Sequence, residues 1–245
     1  MVLNYQKARR VIRIIKAVFF DLDDTLFDHK YSRLCGLKAL QQKLSELKAV
    51  PLKQLEDEHE TILNSSYYKV LEHKVTVEDD LVERIGYLCL MHGVQQSRDE
   101  VRTLADLYER EYRLHRRSVP GSRELLELLR KHVKTRVITN GLVMEQQEKI
   151  RLCQIGNLID CLIISEEVGL RKPNKEIFVE ALRRANTMPF ETVYVGNSWD
   201  SDILPASQCG IRTIWLNRYG LRCPESGVIK EIASYFCLDI RKTFF

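Results

Sequence analysis

The chain lacks any apolar stretch approaching the length of a membrane span, and Lys7, Arg9, Arg10, Arg13 and Lys16 break its first residues where a secretion signal needs an uninterrupted apolar segment. The expectation is a cytoplasmic protein with no membrane partner. It has no C-x-x-C pair and no histidine at zinc-finger spacing, so its seven cysteines (Cys35, Cys89, Cys153, Cys161, Cys209, Cys223 and Cys237) form no metal site visible in sequence. An odd, dispersed set fits buried reduced thiols better than a disulfide framework. Charge of one sign is also missing: 38 Lys and Arg against 34 Asp and Glu leave a net +4, too little to imply a nucleic-acid partner. The basic residues near the start read as a solvated tail. No repeat or low-complexity segment is evident.

Glycine and proline are scarce between Asp28 and Ser118, where only Gly36, Gly86, Gly93 and Pro51 occur and apolar residues recur at helical spacing. This segment reads as an all-helical insert. Two long helices are expected near 31–49 and 52–74, meeting at Pro51, a residue suited to a helix start. Thr76 can cap a third, with Asp79 in its first turn and Leu81, Val82, Ile85, Leu88 and Cys89 on one face. Ser97-Arg98-Asp99-Glu100 is a capping-box pattern opening a fourth, which continues through Val101, Leu104, Tyr108 and Tyr112.

With 245 residues and 44% hydrophobic content, the chain can bury a sizeable core. Ala17-Val18-Phe19-Phe20 is an apolar run flanked by charge, as expected of a strand covered on both faces. After Val119-Pro120-Gly121 strands and helices alternate, the arrangement that builds a parallel sheet. Strands are expected at 135–139, 161–165, 192–196 and 212–216, and helices near 122–132, 143–154, 174–186 and 201–208. Asn174 is a candidate N-cap. Residues 222–245 are expected to add a last helix and a tail. The fold class is therefore α/β: a doubly wound, Rossmann-like parallel sheet formed by 1–27 and 119–245, with the helical segment 28–118 inserted.

Four separated pieces end a predicted strand or closely follow one: Asp21-Leu22-Asp23-Asp24-Thr25, Ile138-Thr139-Asn140-Gly141, Arg171-Lys172-Pro173, and Val195-Gly196-Asn197-Ser198-Trp199-Asp200-Ser201-Asp202. Ligands of such sheets bind beyond the carboxyl ends of the strands. Residues two apart in an extended segment point the same way, so Asp21 and Asp23 can face one object, and hard oxygen ligands of this kind favour Mg²⁺. One carboxylate can take a phosphoryl group, a second can act as acid and then base, and a cation can relieve charge on the phosphoryl oxygens. Thr139 offers a hydroxyl, the amides of Asn140 and Gly141 lead into a helix N-terminus, and Lys172 supplies a fixed positive charge. Trp199 and Trp215 read as packing residues.

These residues resemble the four motifs of the haloacid dehalogenase superfamily, and the insert resembles its helical type 1 cap. By that resemblance Asp21 is the nucleophile and Asp23 the general acid and base. Lys172 joins them in catalysis, and Thr139, Asn140, Gly141 and Lys172 bind the substrate phosphate. Asp21, the main-chain carbonyl of Asp23, and Asn197 with Asp202 in the fourth motif hold Mg²⁺. Dehalogenases of the superfamily usually carry an aromatic residue in place of Asp23, so the resemblance implies a phosphatase. The family commonly has Asp where Asn197 stands, which implies a weaker metal site.

From Val137 to Phe178 the sequence is similar to the branch containing pyrimidine 5′-nucleotidases, which puts nucleoside monophosphates first among small phosphorylated metabolites as substrate. The alternatives are a phosphomutase, a sugar-phosphate or phosphoglycolate-type phosphatase, a non-catalytic relative, and a phospho-accepting signalling domain. The last has no use for an insert like 28–118. His29, Tyr67 and Tyr68 are candidate substrate contacts in that insert, although aromatic residues on such helices more often pack.

Overall fold

The computed structural model describes residues 15–224 and 230–244. The basic run Lys7 to Arg13 and part of the expected tail lie outside them. Strand β1 (Ala17–Phe20) is followed by helices α1 (His29–Lys43), α2 (Leu52–Leu71), α3 (Val77–Met91) and α4 (Arg98–Leu114). There follow α5 (Ser122–Leu129), β2 (Lys134–Thr139), α6 (Val143–Leu152), β3 (Cys161–Ile164), α7 (Ser165–Val168), α8 (Lys175–Ala185), β4 (Thr192–Gly196), α9 (Leu204–Gln208), β5 (Arg212–Leu216), β6 (Lys230–Ile232) and α10 (Ile240–Phe244). All six strands are parallel, in the order β3-β2-β1-β4-β5-β6.

Alternation along β1 explains the layers. Ala17 and Phe19 face one side and pack with Ile138, Ile163 and Tyr194 against Ile177, Phe178, Ala181 and Leu182 of α8. Val18 and Phe20 face the other, joining Val137, Val193 and Val195 under Leu125, Leu126 and Leu129 of α5. Every β1 side chain is fully buried, so truncating Phe19 to Ala would cost about 3–5 kcal/mol. This core continues into α1, α3 and α4 through Leu37, Leu40, Ile85 and Leu104.

The expected caps form: Thr76 accepts from the Asp79 amide, and Ser97 and Glu100 make the reciprocal box. Asn174 caps α8 through the Glu176 amide. Trp199 and Trp215 pack edge to face, 5.3 Å between ring centroids. Other expectations shift. The first helix spans His29–Lys43 followed by a 3₁₀ turn at Ser45–Leu47, not 31–49, because Leu44 takes an extended conformation. The helix expected at 201–208 opens as a π turn, Trp199–Ile203, before α9. The C-terminal region contributes a sixth strand, paired with β5 from Ile214 to Leu216, as well as the expected short helix. Cys89 and Cys153 are buried as expected of the thiols, whereas Cys35, Cys161, Cys209 and Cys223 are half-buried and Cys237 is exposed. Among the described residues no helix is long and apolar enough to cross a membrane.

The two segments joining the helical insert to the sheet run side by side. Phe27 bridges Ser118, the Val119 amide donates to the Leu26 carbonyl, and the Asp28 amide to Arg117. The buried Asp28 carboxylate then accepts from Arg117 and Arg218, each at 2.9 Å, pinning both connections to the loop after β5.

Candidate active site

Sheet order reverses around β1, so the loops after β1, β2 and β4 open onto one crevice. The Asp21 amide still donates to Val195, extending β1 by one residue, and the chain then turns tightly as the Leu26 and Phe27 amides both reach the Leu22 carbonyl. Asp24 sits at φ 61 in that turn, and its carboxylate accepts from the Lys30 amide at the start of α1.

Asp21 is 5% exposed. Lys172 donates to its Oδ1 at 2.5 Å and to Asp202 Oδ1 at 2.6 Å, and Tyr194 Oη donates to the same Asp202 oxygen at 2.8 Å. Burial pushes Asp21 up to about 7 against the opposing pull of Lys172, with Asp202 adding repulsion. Two carboxylates therefore share one ammonium in a buried site; when both are ionised one negative charge lacks a counter-ion, which favours a proton or a second cation there.

The structure places Asp23 beside a group that sequence reasoning missed. Lys149 of α6, 6% exposed, donates to both Asp23 oxygens at 2.8 and 2.9 Å, and Gln146 Nε2 lies 3.5 Å from Oδ2. Burial alone would raise Asp23, but Lys149 and then His29, together with these hydrogen bonds, hold it below the usual carboxylate range. The available signal was spacing: Gln146 and Lys149 stand three apart at the start of a helix leaving the second motif, and so share its face. His29, paired with Tyr112 Oη at 2.8 Å, is pushed down to about 3 by burial and stays neutral.

Thr139 is buried at the end of β2. Asn140 clasps Lys172 through two 2.9 Å bonds, Nδ2 to its carbonyl and Oδ1 from its amide, so this side chain positions the lysine. The Gly141 amide, expected to face phosphate, instead donates to Ser165 Oγ at 3.0 Å. The helix N-terminus expected to receive an anion already has one, because the Val143 amide donates to Glu166 at 2.6 Å. Glycine nonetheless suits position 141, where φ is 141 and a Cβ would displace the Gln146 side chain, 2.1 Å away at Nε2.

In the fourth motif Gly196 lets Asp202 approach, since a Cβ would lie 2.6 Å from that of Asp202. Asp202 Oδ2 accepts from the Ser198 amide at 3.1 Å. The Asn197 carbonyl is held by Trp215 Nε1 at 2.9 Å, and its Oδ1 lies 3.3 Å from the Thr25 hydroxyl. Among the described residues no group of three or more His, Cys, Asp or Glu side chains is placed so that it could hold a metal ion by itself. The available donors are instead two carboxylates, an amide oxygen and a main-chain carbonyl, all hard oxygens where a second cation is favoured. That set fits Mg²⁺, which takes few protein carboxylates and keeps several waters.

A cavity of about 690 Å³ rises from Asp23, Asn140 and Asn197 into α2, α3 and α4. Tyr67 and His29 line it, whereas Tyr68 is 45% exposed and lies near Lys74. Helix α6 closes the lower edge: Tyr67 donates to Glu145 at 3.2 Å and Arg116 to Glu148 at 2.7 Å.

Known proteins resemble the chain in sequence and in fold. The chain is 30% identical over 207 residues to the glyceraldehyde 3-phosphate phosphatase of Methanothermobacter thermautotrophicus, covering 83% of this chain and 86% of the relative. It is 40% identical over 108 residues to the pyrimidine 5′-nucleotidase YjjG of Escherichia coli, covering 44% and 48%. In fold it resembles a HAD-hydrolase from Bacillus subtilis (TM-score 0.69, 22% identity, covering 91% of this chain and 96% of that one). Residues 15–210 match the model of the haloacid dehalogenase-like hydrolases, and the chain belongs to that family.

Proposed function

We propose that the chain is a Mg²⁺-dependent, cytoplasmic phosphomonoesterase acting on a small phosphorylated metabolite through an aspartyl-phosphate. The observation that carries this reading is the pairing of Asp21 with Lys172 and Asp202 at the sheet's switch point, with Asp23 two residues away at the floor of the cavity. Asp21, the Asp23 carbonyl, Asn197 and Asp202 would hold Mg²⁺, which supplies neutralisation of the phosphoryl oxygens when bound.

Asp21 attacks phosphorus while Lys172 and Thr139 bind the transferring group. Asp23 gives a proton to the departing oxygen, then takes one from the water that hydrolyses the intermediate. Lys149 keeps resting Asp23 ionised, the form required for the second half; the first half requires proton uptake by Asp23 before the leaving group departs. The helices above shut out bulk water and choose the substrate. Glyceraldehyde 3-phosphate phosphatases align over most of the chain and a pyrimidine nucleotidase over less than half, which favours phosphate esters from triose to nucleotide size. The buried thiols of Cys89 and Cys153 suit a reducing compartment.

The test is phosphate release from p-nitrophenyl phosphate with Mg²⁺ by the full chain and by Asp21→Asn. Turnover that falls by about a thousandfold or more, roughly 4 kcal/mol of barrier, is expected. Undiminished turnover in the variant contradicts the reading.

A further inference from the structure

The cavity over the catalytic carboxylates carries an unusual balance of charge. Five basic side chains line it against eight carboxylates, and each of the five already has an acidic partner. Arg33 binds Glu60 at 2.9 Å and Glu56 at 3.2 Å. Arg84 binds Asp80 at 2.7 Å. Arg113 binds Glu109 at 2.5 Å, Arg116 binds Glu148 at 2.7 Å, and Lys149 holds Asp23. A leaving group with a carboxylate or second phosphate would thus meet no uncommitted cation and an excess of acids. Desolvating such an anion without a partner is strongly unfavourable.

A second observation concerns what the wall does offer. His59 is fully buried, stacks on Tyr108 with ring centroids 5.2 Å apart, and lies 3.1 Å through Nε2 from Arg84 Nη1. A guanidinium only donates, so Nε2 must accept, and the neutral ring then carries its proton on Nδ1. Burial, followed by the charges of Arg84 and Arg33, keeps the ring neutral. Among the described residues that Nδ1–H has no partner, and neither has Asp80 Oδ1 on the other side of Arg84. Arg84 therefore fixes one unsatisfied neutral donor and one unsatisfied acceptor in side chains lining the same cavity, and a buried polar atom left so is costly. Hydroxyl and carbonyl groups satisfy such atoms without bringing charge.

We propose that this cavity selects phosphomonoesters whose leaving group is uncharged and bears hydroxyl or carbonyl oxygens, and rejects those carrying a second anionic group. The inference rests on the phosphatase reading above and adds a substrate class to it. The arginine pairs set the charge rule, and His59 Nδ1 and Asp80 Oδ1, both closed to solvent in the free protein, supply contacts to a substrate that opens the wall onto them.

A matched pair of substrates tests it: glyceraldehyde 3-phosphate and 3-phosphoglycerate share a skeleton and differ in an aldehyde against a carboxylate. With the full chain and Mg²⁺, kcat/KM should favour the aldehyde at least tenfold. Each compound is also measured as a competitive inhibitor of p-nitrophenyl phosphate hydrolysis, so the same preference is read where turnover is slow. Asp80→Asn leaves Arg84 without its carboxylate and should move the ratio toward 3-phosphoglycerate by at least tenfold, about 1.4 kcal/mol. Glu109→Gln, at a side chain 33% exposed, takes from Arg113 its 2.5 Å partner and leaves it only the 3.2 Å contact to Glu148; it is a second variant expected to move the ratio the same way if Asp80→Asn fails to fold. Equal or reversed preference in the wild type, or ratios unmoved in the folded variants, overturns the proposal while p-nitrophenyl phosphate turnover leaves the phosphatase reading standing. Absence of that turnover would overturn both.

Discussion

Replacing Lys149 with Met isolates the interaction that holds Asp23. The ammonium lies 2.8 and 2.9 Å from the two carboxylate oxygens. At an effective dielectric of about 20, unit charges so close attract by about 5–6 kcal/mol. Desolvation of the pair offsets much of this, and the Asp23 side chain keeps 31% of its exposure, so the expected loss is about 3 kcal/mol, the low end for breaking a buried pair from one side. For a chain of this size that lowers Tm by about 6–12 °C. The sign with pH follows from the depressed Asp23 pKa. Its contribution is fully present above the ordinary carboxylate pKa of about 3.9 and is lost as pH falls through the lower folded value. In the variant burial is opposed only by the weaker pulls of His29 and Gln146, Asp23 takes up a proton at higher pH than in the wild type, and the penalty should be large at pH 7.5 and shrink toward pH 4. Thermal melts of both proteins in EDTA across this range provide the assay. A penalty independent of pH, or none at pH 7.5, would refute the reasoning.

Asp23→Asn should lower kcat for alkyl phosphates by about 10²–10⁴-fold, and less for p-nitrophenyl phosphate, whose leaving group needs no proton; equal losses would contradict the acid role. Asn197→Asp should reduce the Mg²⁺ concentration for half-maximal activity by about tenfold, since a carboxylate attracts the cation more strongly than an amide oxygen; a metal titration at saturating substrate reads this, and an unchanged requirement would remove Asn197 from the metal site. Gly196→Ala places a Cβ 2.6 Å from that of Asp202, displacing the carboxylate that holds Lys172, so kcat should fall by about 10²-fold; wild-type rates would show that Asp202 tolerates the shift.

What the sequence made legible was local. Ala17 to Phe20 and Thr192 to Gly196 read as strands because buried parallel strands need continuous apolar runs, and Thr76 and Ser97 read as caps because their partners lie three residues away. Strand β6 was not legible: Lys230-Glu231-Ile232 has one buried apolar side chain and owes its conformation to pairing with β5. In the site, strand-end positions brought Asp21, Thr139, Asn197 and Asp202 within reach of inference. The engagement of Lys149 with Asp23 spans 126 residues, and the loss of the Gly141 amide to Ser165 spans 24. Pairings at such separations leave no periodicity in either segment. The charge balance of the cavity is likewise invisible in sequence, where Arg33 and Glu60, or Arg113 and Glu148, are ordinary surface residues of separate helices.

Asp21 as the nucleophile is the centre of this account, and trapping the intermediate tests it most directly. Enzyme turning over p-nitrophenyl phosphate with Mg²⁺ is quenched with borohydride, which reduces an acyl phosphate to the alcohol, and the peptides are read by mass spectrometry. The account predicts homoserine at position 21 alone, appearing only with substrate and metal. Reduction at Asp23 or Asp24, or turnover with no reducible carboxylate at any point in the time course, would contradict it.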